Sequence, residues 1–286
     1  QRFYSVDVKL LENLGYDVIK TNKISCFFKF WNYDISFLYF YRWSLFPALI
    51  SRCFLKKIYF TGGIDHLEEK ITTRREYLIQ VWLFKLCYLL SKTCIIVSKS
   101  DLKNIKKIYN GKQSQKIYLS FHTINFRNYY VEDLVDKNNN FSTIAWMESV
   151  DNIKRKGIDK SLIIFQKLIK NIEFSDSKFY IIGKEGKGSV YLKKLCKSLK
   201  ISDNVFFTGS INEKQKISIL KKSKYYFQLS TFEGFGIAAI EALASKNIVI
   251  HSGNGGLNET MRDFGVKINI EANFDQYIDD ILHLLV

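Results

Sequence analysis

The stretch Tyr225–Glu259, YYFQLSTFEGFGIAAIEALASKNIVIHSGNGGLNE, decides the reading of this chain. It runs as strand, glycine-rich turn, short helix, strand and glycine-rich loop. Tyr226, Phe227, Gln228 and Leu229 form a short apolar run of strand type. Gly234 and Gly236 bracket Phe235 in the turn that follows. Glycine takes backbone angles closed to other residues there and lets a ligand approach the main chain. Ile237, Ile240 and Leu243 recur near helical spacing, with Ala238, Ala239, Ala242 and Ala244 allowing close packing. Ile248, Val249 and Ile250 make the next buried strand, and Gly253, Gly255 and Gly256 open the next loop.

This pattern points to phosphate. A helix that starts after a glycine-rich turn offers free N–H groups and the positive end of its dipole. Glu233 stands before that helix and Glu241 within it. Carboxylates only accept hydrogen bonds, and vicinal sugar hydroxyls are good donors to them; an acidic residue holds ribose in the same way in dinucleotide folds. The spacing by itself also fits an ordinary α/β turn with two solvated glutamates, because glycine motifs alone are weakly specific.

Glu233-Gly-Phe-Gly-Ile-Ala-Ala-Ile-Glu241, continued by Ala242, Leu243, Ala244 and later by Gly255, Gly256 and Glu259, resembles the E-x7-E signature of retaining glycosyltransferases of the GT-B fold, family 4. The resemblance implies that Glu233 contacts the donor sugar and Glu241 the nucleotide ribose. Lys246 and Ile248 stand where the family usually has Gly and Pro, and Leu229 where it has Pro.

A chain of 286 residues suits two domains. Hydrophobic content of 47% and aromatic content of 15% are ample for buried cores. Cys26, Cys53, Cys87, Cys94 and Cys196 are scattered, without C-x-x-C spacing or a histidine partner. They are expected to be reduced core residues of a cytosolic protein, with neither disulfide nor zinc. No apolar run is long enough to span a bilayer, and no signal peptide is read. The net charge is +15, and about two thirds of the excess lies before Asn138. Such a balance fits an anionic partner, although a Lys-rich composition with no partner reads the same way.

From the start, residues 1–14 read as a helix with Val6, Leu10, Leu11 and Leu14 on one face, stopped by Gly15. Tyr16–Lys20 reads as a strand. The family places a strand and a glycine loop before such a helix, so the first strand is expected to be missing here. Strands are expected at Asp34–Tyr41 and Lys57–Thr61, with a helix over Leu45–Leu55 that has Pro47 near its start. The rings between Phe27 and Trp43, interleaved with Lys23, Lys29 and Arg42, suit either a membrane interface or a core. Lys57–Thr61 runs into Gly62-Gly63-Ile64-Asp65-His66, a strand-end loop of the kind that carries ligands. By resemblance His66, with Asp65 beside it, would lie near the reacting sugar.

A helix over Glu76–Ser91, packed through Val81, Phe84, Leu86 and Leu89, leads to a strand at Cys94–Val97. Ser98 caps the helix after it. Ile117–Phe126 reads as a closing strand and turn, with His122 structural, and the polar Tyr129–Asn140 as a linker. In the second half Thr143–Met147 is a strand and Lys154-Arg155-Lys156-Gly157 precedes a helix over Ile158–Ile169. The family has an Arg and a Lys-Gly pair there, gripping the donor diphosphate. Lys156-Gly157 matches, while the Arg position falls at Val150 or Asp151, leaving Lys154 or Arg155 as the substitute cation. Phe179–Ile182 ends in the glycine loop at Gly183, expected near the nucleotide, and Val205–Gly209 frames the base. Helices are expected at Tyr191–Leu199, Glu213–Lys222 and Phe274–Leu285, and a last strand at Phe264–Ile270.

Regular strand–helix alternation in both halves argues for α/β domains. The resemblance makes them the two doubly wound, Rossmann-like domains of GT-B facing a central cleft, at 1–138 for the acceptor and 139–286 for the donor. The expected function is a retaining, metal-independent hexosyltransferase acting in cell-surface polysaccharide synthesis. It would take a UDP-, GDP- or other nucleotide-activated sugar, use no cofactor, and pass the sugar to a glycan or lipid-linked acceptor. The donor would be held by Lys156, Arg155, Gly183, Gly209, Gly234, Phe235, Gly236, Ile237 and Glu241. Glu233, His66 and Asp65 would be catalytic. The protein is expected in the cytoplasm, peripheral to an anionic membrane face, and no RNA-binding or helix-turn-helix signature points to nucleic acid. The alternative is a catalytically weak or inactive GT-B protein that binds nucleotide or polyanion.

Overall fold

The computed structural model of the chain describes residues 2–21, 30–62, 64, 67–111, 115–131, 137–270, 281 and 283–285. These fall into two compact units, Gln1–Ile124 and Asn125–Val286. Among the described residues no helix is long and apolar enough to cross a membrane.

The first unit runs α1 (Arg2–Asn13), β1 (Ile35–Tyr39), α2 (Tyr41–Cys53), β2 (Lys57–Thr61), α3 (Arg74–Leu90), β3 (Thr93–Ile96), α4 (Lys99–Ile108) and β4 (Ile117–Leu119). Its sheet is parallel in the order β1-β2-β3-β4. Alternate strand positions, Ile58, Phe60, Cys94 and Ile96, meet Ala48, Phe84, Cys87 and Ile105 of the helices in one core. Side-chain caps start two of the helices: Thr73 Oγ1 accepts from the Glu76 N–H at 3.3 Å, and Ser98 Oγ from that of Asp101 at 3.0 Å.

Several expectations change here. Tyr16–Lys20 is irregular and pairs with none of β1–β4. Leu10 and Leu14 of α1 are exposed. Pro47 sits inside α2, which begins earlier than the apolar pattern implied. The packed side of α3 is Gln80, Phe84 and Cys87, and Leu89 faces outward.

The second unit continues with α5 (Phe126–Tyr129), β5 (Asn138–Ile144), α6 (Val150–Lys156), α7 (Ile158–Leu168), β6 (Phe179–Ile182), α8 (Lys187–Ser198), β7 (Val205–Phe207), α9 (Glu213–Lys222), β8 (Ser223–Gln228), α10 (Ile237–Ala244), β9 (Ile248–His251), α11 (Leu257–Thr260) and β10 (Val266–Lys267). Six parallel strands take the order β10-β9-β8-β5-β6-β7. The chain thus starts in the middle, builds outward on one side, then returns to build the other. β5 and β8 flank the point where the direction reverses, and ligands of open α/β sheets bind at the carboxyl ends of strands there. An aromatic core fixes this centre: Phe141 stacks on Tyr225 at 4.8 Å and on Phe227 at 5.5 Å.

Tyr129–Asn140 is not a plain linker. Tyr129 is buried in α5, which packs on α9 and α10, and β5 already begins at Asn138. The division between units accordingly falls before the 138/139 boundary read from the sequence. The expected strand at Phe264–Ile270 shortens to Val266–Lys267. Much of the expected Phe274–Leu285 helix lies outside the described residues. Both units are nonetheless the parallel-sheet, Rossmann-like α/β architecture that the alternation implied. Cys87, Cys94 and Cys196 are buried free thiols, whereas Cys53 is exposed; Cys26 lies outside the described residues.

Candidate functional site

The Lys154-Arg155-Lys156 run precedes a helix, α7, as expected, and itself closes a further short helix, α6. Ser149 Oγ caps its start by accepting the Asn152 N–H at 3.1 Å. Gly157 ends it at φ +65, and a Cβ there would lie 2.0 Å from the Leu229 carbonyl oxygen. Only glycine lets the α6–α7 junction press this closely on the end of β8. The Thr231 N–H donates to the Arg155 carbonyl at 2.8 Å and ties the same two segments. The consequence is that Lys156 reaches Glu233, 77 residues later, and forms a short ion pair with it.

Glu233 is buried, and three donors converge on its Oε1: Lys156 Nζ, Gln228 Nε2 at 2.7 Å and Ser230 Oγ at 2.8 Å. Gln228 is oriented in turn by the Tyr226 hydroxyl, which donates to its Oε1 at 3.0 Å and accepts the Ile144 N–H at 3.2 Å. A line of hydrogen bonds therefore runs from the end of β5 to the carboxylate. Burial works against the charge of Glu233, but the Lys156 ammonium, with Arg155 and Ser230 behind it, outweighs burial and holds the carboxyl below the usual carboxylate range.

The loop after Glu233 is equally tight. Glu233 bridges Gly255 in a parallel pair, and its carbonyl accepts the Gly256 N–H at 2.6 Å. A Cβ on Gly256 would lie 2.1 Å from the Gly234 carbonyl oxygen. Gly234, Phe235 and Gly236 are buried there, and α10 starts at Ile237 with no side-chain cap on its first turn. The buried face of α10 is Ala239, Glu241, Ala242 and Ala244, so Ile237, Ile240 and Leu243 are not the packed stripe the spacing implied.

Glu241 has its own cation. Lys216 Nζ of α9 donates to its Oε2 at 2.6 Å, and the Tyr129 hydroxyl to its Oε1 at 2.5 Å. Glu213 completes the cluster, 2.7 Å from the Tyr129 hydroxyl and 3.0 Å from Lys216 Nζ. Lys216 also lies 5.4 Å from the Tyr129 ring centre. Burial first, then the two glutamates, push the Tyr129 phenol above its ordinary range, so the hydroxyl keeps its proton and serves as donor. Glu213 and Lys216 face a cavity of about 240 Å³ that also takes in Ile144, Ile182, Gly183 and Ile211. It opens where β5 and β6 end.

Of the residues singled out in the sequence, Lys156, Glu233, Gly234, Phe235, Gly236 and Ile237 thus share one end of the second sheet. Glu241 faces a separate cluster, Gly183 lines the cavity, and Gly209 lies on the turn after β7. Arg155 turns its Nη2 to Asn152 Oδ1 at 2.9 Å, and its Nη1 is buried without a hydrogen-bond partner. Asp65 and His66 lie outside the described residues. His122 is half-buried, and burial lowers its pKa. Sequence reading missed Tyr129, Lys216, Glu213, Gln228 and Ser230. A glutamine within an otherwise apolar strand was a readable signal for Gln228. Tyr129 is 112 residues from Glu241 and gives no local sign.

Residues 146–285 match the family model described as Glycosyl transferases group 1. The chain is similar to an uncharacterized glycosyltransferase of Methanocaldococcus jannaschii, 26% identical over 238 residues that make up 78% of this chain and 54% of the relative. It is also similar to the alpha-monoglucosyldiacylglycerol synthase of Streptococcus pneumoniae, 31% identical over 108 residues, 38% of this chain and 24% of that protein. The chain therefore spans about half the length of the first curated relative and about a quarter of the second. Among solved structures, Anabaena HepE in complex with UDP-glucose superposes with a TM-score of 0.71 at 13% identity, covering 96% of this chain and 78% of that one. The two parallel-sheet units have the GT-B type of fold, and the match over residues 146–285 supports a glycosyl transferases group 1 domain in the second unit.

Proposed function

We propose that this protein moves a hexosyl group from a nucleotide-diphosphate sugar to an acceptor, with retention of configuration at the anomeric carbon and without a metal. The observation that carries the reading is the pairing of Lys156 with Glu233 and of Lys216 with Glu241, the first at the strand-order reversal and the second beside the cavity at Gly183. The nucleoside enters that cavity, framed by Gly183 and Gly209, and Glu241 accepts a ribose hydroxyl. The diphosphate lies at the start of α10 after Gly236, where backbone N–H groups and the helix dipole favour negative charge. It draws on the Lys156 ammonium, with Arg155 adding to the field. Glu233, ionised and fixed by Gln228 and Ser230, then accepts hydroxyls of the sugar.

In this scheme the charge that develops on the leaving diphosphate meets preorganised donors. The bond to the anomeric carbon breaks toward that cradle, and the acceptor oxygen enters on the face the diphosphate leaves. A diphosphate oxygen takes the acceptor's proton. The complex of HepE with UDP-glucose supports a UDP-sugar as the first donor to try, and the synthase name supports a lipid-linked acceptor beside a glycan.

The test is nucleotide release from a panel of UDP-, GDP- and ADP-sugars, with glycan and glycolipid acceptors. One donor should turn over, and Glu233→Ala should slow it by at least about a hundredfold, the scale of losing one transition-state contact. Nucleotide binding with no turnover of any donor would instead support a non-catalytic GT-B protein.

A further inference from the structure

Right-handed crossovers along the order β1-β2-β3-β4 put α2, α3 and α4 on one face of the first sheet. The core agrees, since Ala48, Phe84 and Ile105 of the three helices all pack on the same strand side chains. The opposite faces of α2 and α3 should then be polar. They are not. Trp43, Phe46 and Leu49 of α2 are 59%, 56% and 45% exposed. Leu78, Trp82 and Leu89 of α3 are 58%, 60% and 72% exposed, with Ile79 beside them. Both sets recur at helical spacing, Trp43, Phe46 and Leu49 every three residues and Leu78, Trp82 and Leu89 along one face with Lys85 between the last two, so each helix carries an outward apolar row. α2 and α3 pack on each other, and Arg42 bridges to Glu76 at 3.6 Å, which sets the two stripes side by side. Single exposed apolar residues need no explanation, but a contiguous apolar face does.

The charge around this face is mostly positive, with Glu68 and Glu69 beside Tyr77 at the start of α3 as an acidic exception. Arg42, Arg52, Arg74, Arg75 and Lys85 are exposed on the same two helices, against one acidic residue, Glu76, which Arg42 already engages. On the next helix, α4, Lys103, Lys106 and Lys107 extend the cationic border. A second copy of this chain would set like charges against each other across a symmetric contact. A bilayer with anionic lipid answers both features. Tryptophan and aliphatic side chains lodge at the headgroup boundary, and Lys and Arg meet the negative surface. We propose that the outer face of α2 and α3 docks this protein on an anionic bilayer, with Trp43 and Trp82 as its anchors.

The inference is independent of sugar chemistry, and its test uses none. The whole chain is floated with vesicles of phosphatidylcholine alone and with vesicles one third phosphatidylglycerol. Binding to the anionic vesicles only, with release in about 1 M salt, is expected because screening shortens to about 3 Å there. Trp43→Ala with Trp82→Ala should lower the partition at least tenfold. Arg75→Glu with Lys85→Glu should do the same on anionic vesicles. Both pairs of sites are exposed, and unchanged far-ultraviolet circular dichroism and melting temperature will show that the fold is kept. Three results would overturn the proposal: no binding to anionic vesicles, equal binding to both kinds, or a double tryptophan variant that binds like the wild type. A dimer in sedimentation that the tryptophan variant dissociates would also overturn it, by assigning the face to a second copy.

Discussion

Lys216→Met tests whether the cluster around Glu241 is held by one cation. Lys216 Nζ contacts Glu241 Oε2 at 2.6 Å and Glu213 Oε1 at 3.0 Å, and its side chain is 14% exposed. Removing it leaves two carboxylates around a single tyrosine hydroxyl, which has one proton to give. Breaking a buried pair by deleting one partner costs about 3–5 kcal/mol. Glu213 is 36% exposed, so its share is discounted for solvent screening, and Glu241 keeps its bond from Tyr129. The expected loss is therefore near the lower end, about 3 kcal/mol. For a domain of this size that lowers Tm by about 6–12 °C. Thermal unfolding of wild type, Lys216→Met, Glu241→Gln and the double variant closes a thermodynamic cycle. A coupling of at least about 2 kcal/mol is expected, because Glu241→Gln removes the charge that Lys216→Met strands. A fall in Tm under about 2 °C, or strictly additive losses, would refute the reasoning.

Lys156→Ala should weaken nucleoside diphosphate binding more than nucleoside binding, because the proposed function sets its ammonium against the diphosphate; equal losses in calorimetry would make Lys156 purely structural. His251 is buried, its Nε2–H donates to the Phe264 carbonyl at 3.2 Å, and its Nδ1 has no partner, so it folds as the neutral ring, with its pKa lowered by burial. The unfolded chain takes up that proton below about pH 6.5. Stability should hold above that pH and fall as pH drops below it, with a smaller fall in His251→Phe; parallel pH profiles for the two proteins would remove His251 as the cause. Acidification further, below the usual carboxylate range, should remove the contribution of ionised Glu233 as well, since its pKa is depressed in the fold. The anomeric coupling in proton NMR of the first-formed product should match the donor's configuration, and an inverted product would refute the proposed mechanism even if transfer occurs.

Much of the second unit was legible because its signals are local. The apolar runs at Phe179–Ile182 and Ile248–Ile250 are strands, the α9 bounds Glu213–Lys222 were read in full, and α10 starts right after Gly236 as its glycines implied. The helix α6 was missed because its charged run looks like a solvated loop; what makes it a helix is the Ser149 cap and the αL glycine at 157. The alanines of α10, read as allowing close packing, supply most of its buried face, Ala239, Ala242 and Ala244, while the burial of Glu241 among them had no local sign. The lysine partners of Glu233 and Glu241 come from segments 77 and 25 residues away, and only the fold brings them together. The outward apolar faces of α2 and α3 were hidden for the same reason. Periodicity shows a stripe, and burial alone tells which way it points.

In the proposed function the second unit holds a nucleotide-sugar donor through Glu241 and its neighbours. Calorimetric titration of wild type and Glu241→Ala with UDP, GDP and ADP tests it most directly, without needing an acceptor. At least one diphosphate should bind the wild type, and Glu241→Ala should lose about 1.5–3 kcal/mol, roughly a ten- to hundredfold drop in affinity, for the loss of one charged hydrogen-bond acceptor. Binding of none of the three, or equal affinity in the variant, would contradict the account.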